Sequence, residues 1–157
     1  MPETEHRRAL ASAIGPETVA AGKVPLARQL GLLMGVISEQ LLTRLAEAGF
    51  DDQRPAHNAV FANIPPGGIR LTDLADRAGM SKQAMAELVT DLEQLGYLKR
   101  RSDPTDGRAK LIQFSARGKR AVAVALEAFD DIEADLTRRI GKRTMDQLRD
   151  ILDRLTQ

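Results

Sequence analysis

Ser81, Lys82, Gln83, Ala86 and Thr90 stand at the start and along the outer side of a helical pattern. Its apolar members are Met85, Leu88, Val89, Leu92 and Leu95. The first turn of a helix has unpaired backbone N–H groups and the positive end of the helix dipole, so an anion is welcome there. Ser81 can cap that turn or donate to a phosphate. Lys82 and Gln83 fall away from the Met85, Leu88 and Leu92 face. A glutamine amide matches adenine N6 and N7, and a lysine reaches guanine O6 and N7. Ala86 is small, which permits close approach and contact with a thymine methyl. Thr90 is grouped with these contact residues. Glu87 lies one turn beyond Gln83 on the exposed side, where phosphates would repel it. It can accept from cytosine N4. The preferred reading is that it pairs with an arginine of the following ribbon and fixes the two elements together. Without that ribbon, Lys82 and Gln83 would read as ordinary solvated helix surface.

The ribbon is crowded with cations. Asp103-Pro104-Thr105-Asp106-Gly107 is strong turn chemistry. Arg108 follows at once, near the tip, where an arginine can enter a narrow minor groove. Arg100, Arg101 and Lys110 fall on the strands and suit backbone phosphates. Asp106 is expected to orient a neighbouring arginine, not to touch a ligand. Residues 97–120 hold eight Lys and Arg against two Asp, a local charge of +6 on a chain of net +1. The remainder is therefore −5. A basic patch on a mildly acidic body is what phosphate binding needs; a merely solvated hairpin is the plainer alternative.

These side chains need a scaffold. Two short helical patterns meet at the Ala78-Gly79-Met80 corner, and strands near Tyr97–Arg101 and Ala109–Phe114 follow. Helix-turn-helix plus basic hairpin is the outline of a winged helix, which lays one helix in the major groove. Thr72 is expected to cap the third helix, Ser81 the fourth and Ser115 a long helix over Ala116–Ile140. The first strong helix carries Leu26, Leu30, Leu33, Met34, Ile37, Leu41 and Leu45 at three- and four-residue steps and stops at Gly49. Gly31 and Gly35 within it can allow close helix approach. Pro55 suits the first turn of a second helix bearing Ala56, Ala59, Val60 and Ile64, ended by Pro65-Pro66-Gly67-Gly68. Ile69-Arg70 is a candidate short strand. The long helix shows Ala125, Phe129, Ile132, Leu136 and Ile140 at near-heptad spacing. After Gly141 a last helix carries Met145, Leu148, Ile151, Leu152 and Leu155. Residues 1–25 read as an arm, with one short helix near Arg7–Ile14.

The fold class is mainly α with a small β-hairpin. The expected organisation is an N-terminal arm (1–25), a helical dimerisation region (26–50 and 119–157) and a winged helix-turn-helix lobe (51–118). The Leu-rich terminal helices have more apolar surface than the small lobe can cover, which points to a homodimer interface. Folding back as an intramolecular bundle is the alternative.

Composition narrows the rest. The chain is 43% hydrophobic and only 3% aromatic, which favours a helical core over a sandwich or barrel. It has no cysteine, so disulfides, thiolate metal sites and thiol redox sensing are excluded. No run of about 18 apolar residues suggests a membrane span, and the start MPETEHRRAL has no signal-peptide core. A cytoplasmic protein with no membrane partner is expected. His6 and His57 are the only histidines. His57 reads as a surface or pocket-lining residue, and no metal or cofactor is expected. No phosphate-binding glycine loop or nucleophile elbow supports an enzyme.

The segments LTDLADRAGMSKQAMAELVTDLEQLGYLKR, DPTDGRAK and LIQFSARGKR resemble the MarR (multiple-antibiotic-resistance regulator) family of bacterial winged-helix transcription factors. The resemblance spans about Leu26 to Leu155, and Asp106-Gly107-Arg108 is its most specific part. It implies a homodimer built from the terminal helices, with the fourth helix in the major groove and the wing arginine in the minor groove. That assigns recognition to Ser81, Lys82 and Gln83 and wing contact to Arg108. Ser115 stands where the family often has Thr, the arm before Val24 is longer than many members have, and the cysteine of the peroxide-sensing branch is missing. The implied function is a regulator on double-stranded DNA with an inverted-repeat operator. It would be a repressor released by a small, often aromatic, effector, at a pocket the sequence does not reveal. The alternative is a winged-helix module that docks protein without specific DNA binding; the +6 wing argues against it.

Overall fold

The structure is a computed structural model, and it describes residues 24–156. The proposed helix near Arg7–Ile14 lies outside the described residues. The described chain falls into two units, residues 24–39 and 40–156, divided within the first helix, α1 (Leu26–Glu47).

The first unit is the opening half of α1. Leu26, Leu30, Leu32, Leu33, Met34 and Val36 are all exposed. Nothing among the described residues comes within 4 Å of a Cβ built on Gly31 or Gly35.

The second unit starts with the buried Leu41 and Leu45 of α1. Gly49, at φ +86°, reverses the chain, and Phe50 N–H donates to Leu45 O at 2.8 Å. A single 3-10 turn, Pro55–His57, leads into a one-turn helix α2 (Asn58–Phe61). The second helix is thus shorter than its apolar spacing suggested. Val60 and Ile64 are buried, but Ala56 is exposed and Ala59 half-buried. His57, between these alanines in sequence, is the buried residue.

The helix pair follows as α3 (Leu71–Arg77) and α4 (Lys82–Gln94), joined through Gly79 at φ +61°. Thr72 does not cap α3. Ile69 pairs with Ile112 as an isolated bridge, which keeps the backbone extended through Arg70 at φ −72°, ψ 151°. The helix therefore starts at Leu71, and the Thr72 hydroxyl donates to Asp73 at 3.2 Å. Ser81 does cap α4, its Oγ accepting from Ala84 N–H at 3.2 Å.

β1 (Leu98–Ser102) and β2 (Lys110–Phe114) pair antiparallel, with Leu98 opposite Phe114 and Ser102 opposite Lys110. Leu74, Met85, Val89, Leu92, Tyr97 and Ile112 form the fully buried centre of the lobe. α5 (Ala116–Ile140) begins at the Ser115 cap, and Gly118 lets it press against the Tyr97 carbonyl: a Cβ there would sit 2.1 Å from that oxygen. α6 (Lys142–Thr156) follows Gly141.

The inner face of α5 is Ala121, Ala128 and Ile132, with Ala125 and Leu136 half-buried. Phe129 and Ile140, expected on that face, are exposed, as is Leu126. With 3.6 residues per turn, 126, 129 and 140 share a second stripe. On α6 Met145 is buried, while Ile151, Leu152 and Leu155 are exposed.

Candidate nucleic-acid interface

The buried side of α4 is Met85, Val89 and Leu92, which turns the opposite side outward. Ser81, Lys82, Gln83 and Thr90 are exposed there and Ala86 is half-buried. Gln83, Ala86, Glu87, Thr90, Asp91 and Gln94 line a shallow depression of about 400 Å³ along this face. Lys82 has no carboxylate within 4 Å among the described residues, so its charge is available.

Glu87 does not pair with a wing arginine. Its contact is with Gln83, whose Nε2 donates to it at 3.4 Å. The carboxylate that ties the helix to the hairpin lies farther along: Glu93 accepts from Arg100 Nε at 2.9 and 3.1 Å. Arg100 follows the end of α4 at Gln94 by only six residues, so Glu93 is within its reach and Glu87, nearly two turns back, is not.

His57 is also differently placed from the sequence expectation: it is fully buried. Its Nδ1 accepts from Arg54 N–H at 3.1 Å, so the ring proton belongs on Nε2, which lies 2.8 Å from Asp91 Oδ2. The Arg54 guanidinium reaches the same oxygen. His57 and then Arg54 hold the Asp91 carboxyl below the ordinary aspartate value. The 3-10 turn is thereby pinned to the flank of α4.

The wing tip is organised by Asp103. Its Oδ1 accepts from Thr105 N–H at 2.9 Å and Thr105 Oγ at 2.6 Å, and its Oδ2 from Arg70 Nε and a terminal Arg70 nitrogen at 2.9 and 2.6 Å. Thr105, through hydroxyl and then backbone, and after it Arg70, lower the Asp103 carboxyl to about 2. Asp103 in turn raises the Arg70 guanidinium. Asp106 accepts from Arg108 N–H at 3.1 Å and lies 3.6 Å from Arg70. This holds the Arg108 backbone while its guanidinium stays exposed, with no carboxylate within 4 Å among the described residues. Arg101 is exposed in the same way, and Lys110 donates to Ser102 Oγ at 2.9 Å across the ladder.

Two of the eight basic residues in 97–120 spend their charge inside the chain. Arg100 is held by Glu93. Arg117 donates to Asp52 at 2.8 Å and covers the Tyr97 ring at 4.5 Å. Tyr97 also donates to Asp52; burial first and Asp52 second push its phenol up. The other six, Lys99, Arg101, Arg108, Lys110, Lys119 and Arg120, are exposed. Among the described residues there is no group of three or more His, Asp or Glu that could hold a metal ion.

Asp103, Arg70, His57, Asp91 and Glu93 are the residues that sequence reasoning missed. Asp103 had a signal, the Asp-Pro-Thr order that favours an Asx turn. Arg70 lies 33 residues from Asp103 and had none.

Residues 60–109 match the sequence profile of the MarR family. The transcriptional regulator HosA of Escherichia coli O111:H- is 25% identical over 91 residues, 58% of this chain and 67% of that one. The crystal structure of transcriptional regulator Tm0710 from Thermotoga maritima is 26% identical, with a TM-score of 0.56 over 85% of this chain and 93% of that one. The transcriptional repressor CouR, solved bound to a 23-mer DNA duplex, shares the fold at 22% identity, with a TM-score of 0.67 and the same two coverages, 85% and 93%.

Proposed function

We infer that this chain is a MarR-family DNA-binding transcriptional regulator that binds a duplex operator as a homodimer, a reading supported by the profile match over residues 60–109 and the likeness to HosA. The observation that carries this reading is the pairing, on one lobe, of an outward α4 face with a wing whose Arg101 and Arg108 are exposed and uncommitted. Lys82, Gln83, Ala86 and Thr90 read base edges in the major groove, with Ser81 at the helix start beside a phosphate. Arg108 enters the adjoining minor groove, and Arg101 and Lys110 hold backbone phosphates, while Arg100, expected among them, is committed to Glu93. Asp106 braces the tip with Asp103 and Arg70.

The dimer is supported by the exposed apolar stripes: Leu26, Leu30 and Leu33 on α1, Leu126 and Phe129 on α5, and Ile151 and Leu155 on α6. Such surface in water costs about 25 cal/mol per Å² and is relieved by pairing with a second copy. The two-fold axis makes the operator an inverted repeat. CouR is a repressor bound to DNA, and a repressor role released by a small aromatic effector is the regulation proposed here, with the protein in the cytoplasm. No described helix is long and apolar enough to cross a membrane.

Gel shifts on duplexes selected from genomic DNA test this reading at two salt concentrations. Two cationic phosphate contacts per protomer, four per dimer, would lose about a hundredfold in affinity between about 50 and 200 mM salt. Affinity that ignores salt, or no preference among duplexes, would overturn it.

A further inference from the structure

Three carboxylates lie on or beside the outer face of α4: Glu87, Asp91 and Glu93. Two are neutralised within the chain. Asp91 holds His57 and Arg54, and Glu93 holds Arg100. Glu87 is exposed, and among the described residues no cation lies within 4 Å of it. Its one contact, the Gln83 amide at 3.4 Å, is longer than an ordinary N–H···O bond. It sits in the middle of the depression whose other walls are Gln83, Ala86, Thr90, Asp91 and Gln94.

An uncompensated carboxylate on a face offered to DNA is a cost unless something on the DNA donates to it. Phosphates cannot. On the major-groove floor the donors are the amino groups of cytosine and adenine. Adenine N6 is flanked by acceptors on both sides, its own N7 and the paired thymine O4, and both repel a carboxylate; cytosine N4 has an acceptor on one side only, the paired guanine O6. We propose that Glu87 reads a cytosine amino group in each half-site and is a specificity-determining residue of α4, with Gln83 as its neighbour. The proposal rests on the reading that α4 enters the major groove.

The surroundings suit that task. Ala86 is small, so the helix can come close enough for a short glutamate to reach the floor. Gln83 gives one N–H to Glu87 and keeps the other, with its carbonyl, for adenine N7 and N6. The two side chains stand four residues apart, about 6 Å along the helix, against a base-pair rise of about 3.4 Å. They therefore fall over different base pairs, about one or two steps apart. Glu87 also discriminates by repulsion: where no amino group lies beneath it, its charge faces acceptors and the wrong duplex is rejected.

Selection from a randomised duplex pool by the full chain, Glu87→Ala and Glu87→Gln decides the matter, with thermal melting as the check on folding. The full chain should enrich cytosine at one position of each half-site. Glu87→Ala should lose about tenfold of the preference at that position and keep the preferences elsewhere. Glu87→Gln should move the preference there toward adenine. If Glu87→Ala keeps every base preference and binds all duplexes more tightly, the carboxylate supplies repulsion only and the proposal fails. If the full chain enriches no sequence at all, the operator reading fails as well, and the two failures are told apart.

Discussion

Replacing Gly118 with alanine should destabilise the protein through backbone, not through any side chain. The added methyl would lie 2.1 Å from the Tyr97 carbonyl oxygen, 3.1 Å from its carbon and 3.2 Å from the Phe114 ring. Real Cβ atoms keep at least 3.0 Å, so the start of α5 must retreat by the difference, 0.9 Å, or β1 must yield. That oxygen already accepts from Ser115 N–H at 2.9 Å, and Ser115 Oγ both donates to Gly96 O at 2.6 Å and accepts from Gly118 N–H at 3.0 Å. The retreat loosens all three bonds. Overpacking of this kind costs about 1–3 kcal/mol, and one weakened hydrogen bond about 1 kcal/mol more. Alanine returns up to about 1 kcal/mol of helix propensity. The clash wins, by about 2 kcal/mol, which for a domain of this size lowers Tm by about 4–8 °C. Thermal unfolding followed by circular dichroism measures it, with Gly107→Ala as the control, because a Cβ at Gly107 meets nothing within 4 Å. A Gly118→Ala protein that melts at or above the unsubstituted chain refutes the reasoning.

Asp103, at about 2 against an ordinary 3.8, is favoured in its charged form by folding, so its stabilisation is complete above pH 3.8 and lost as pH falls through about 2. Tm should drop over that window in the full chain and drop less in Asp103→Asn, as melting curves at pH 2 to 5 would reveal. Gln83→Ala should relax preference at one base position at a cost of about 1–3 kcal/mol, whereas Arg101→Ala should weaken all duplexes alike and reduce the salt slope by about one; binding titrations on single-base operator variants at several salt concentrations separate the two. Arg108→Ala should cost most on operators with A·T-rich flanks, where the minor groove is narrow, with Arg108→Lys recovering only part of the loss; gel shifts on A·T-rich and G·C-rich flanks check this, and equal losses on both would leave Arg108 a bracing residue.

Elements with local punctuation were legible from sequence. Ser81 and Ser115 mark helix starts by capping, Gly49 and Gly141 mark ends by positive φ, and Asp-Pro-Thr-Asp-Gly marks the hairpin tip. The long helix Ala116–Ile140 emerged with both ends as expected. What escaped depends on contacts distant in the chain. Thr72 lost its capping role because Ile69 bridges to Ile112, 43 residues on. His57 is polar and so read as surface or pocket-lining, yet it is fully buried and its two ring nitrogens are both satisfied, by Arg54 and Asp91. Phe129 and Ile140 of α5 were merged with the inner face because a near-heptad pattern cannot tell two adjacent stripes apart. The candidate contact residues were legible as types, since Lys, Gln and Arg at a helix start and a wing tip suit DNA. Their bracing partners were not, because Arg70–Asp103 and Arg100–Glu93 are set by tertiary approach.

A hydroxyl-radical footprint of the full chain on its selected duplex, with the mass of the complex measured alongside, tests the central claim most directly. Two copies of the 17.2 kDa chain should protect one duplex. The protections should be two-fold symmetric and centred about 34 Å, or one helical turn, apart, with outer minor-groove protections that vanish in Arg108→Ala. A single asymmetric half-site covered by one chain would contradict the account.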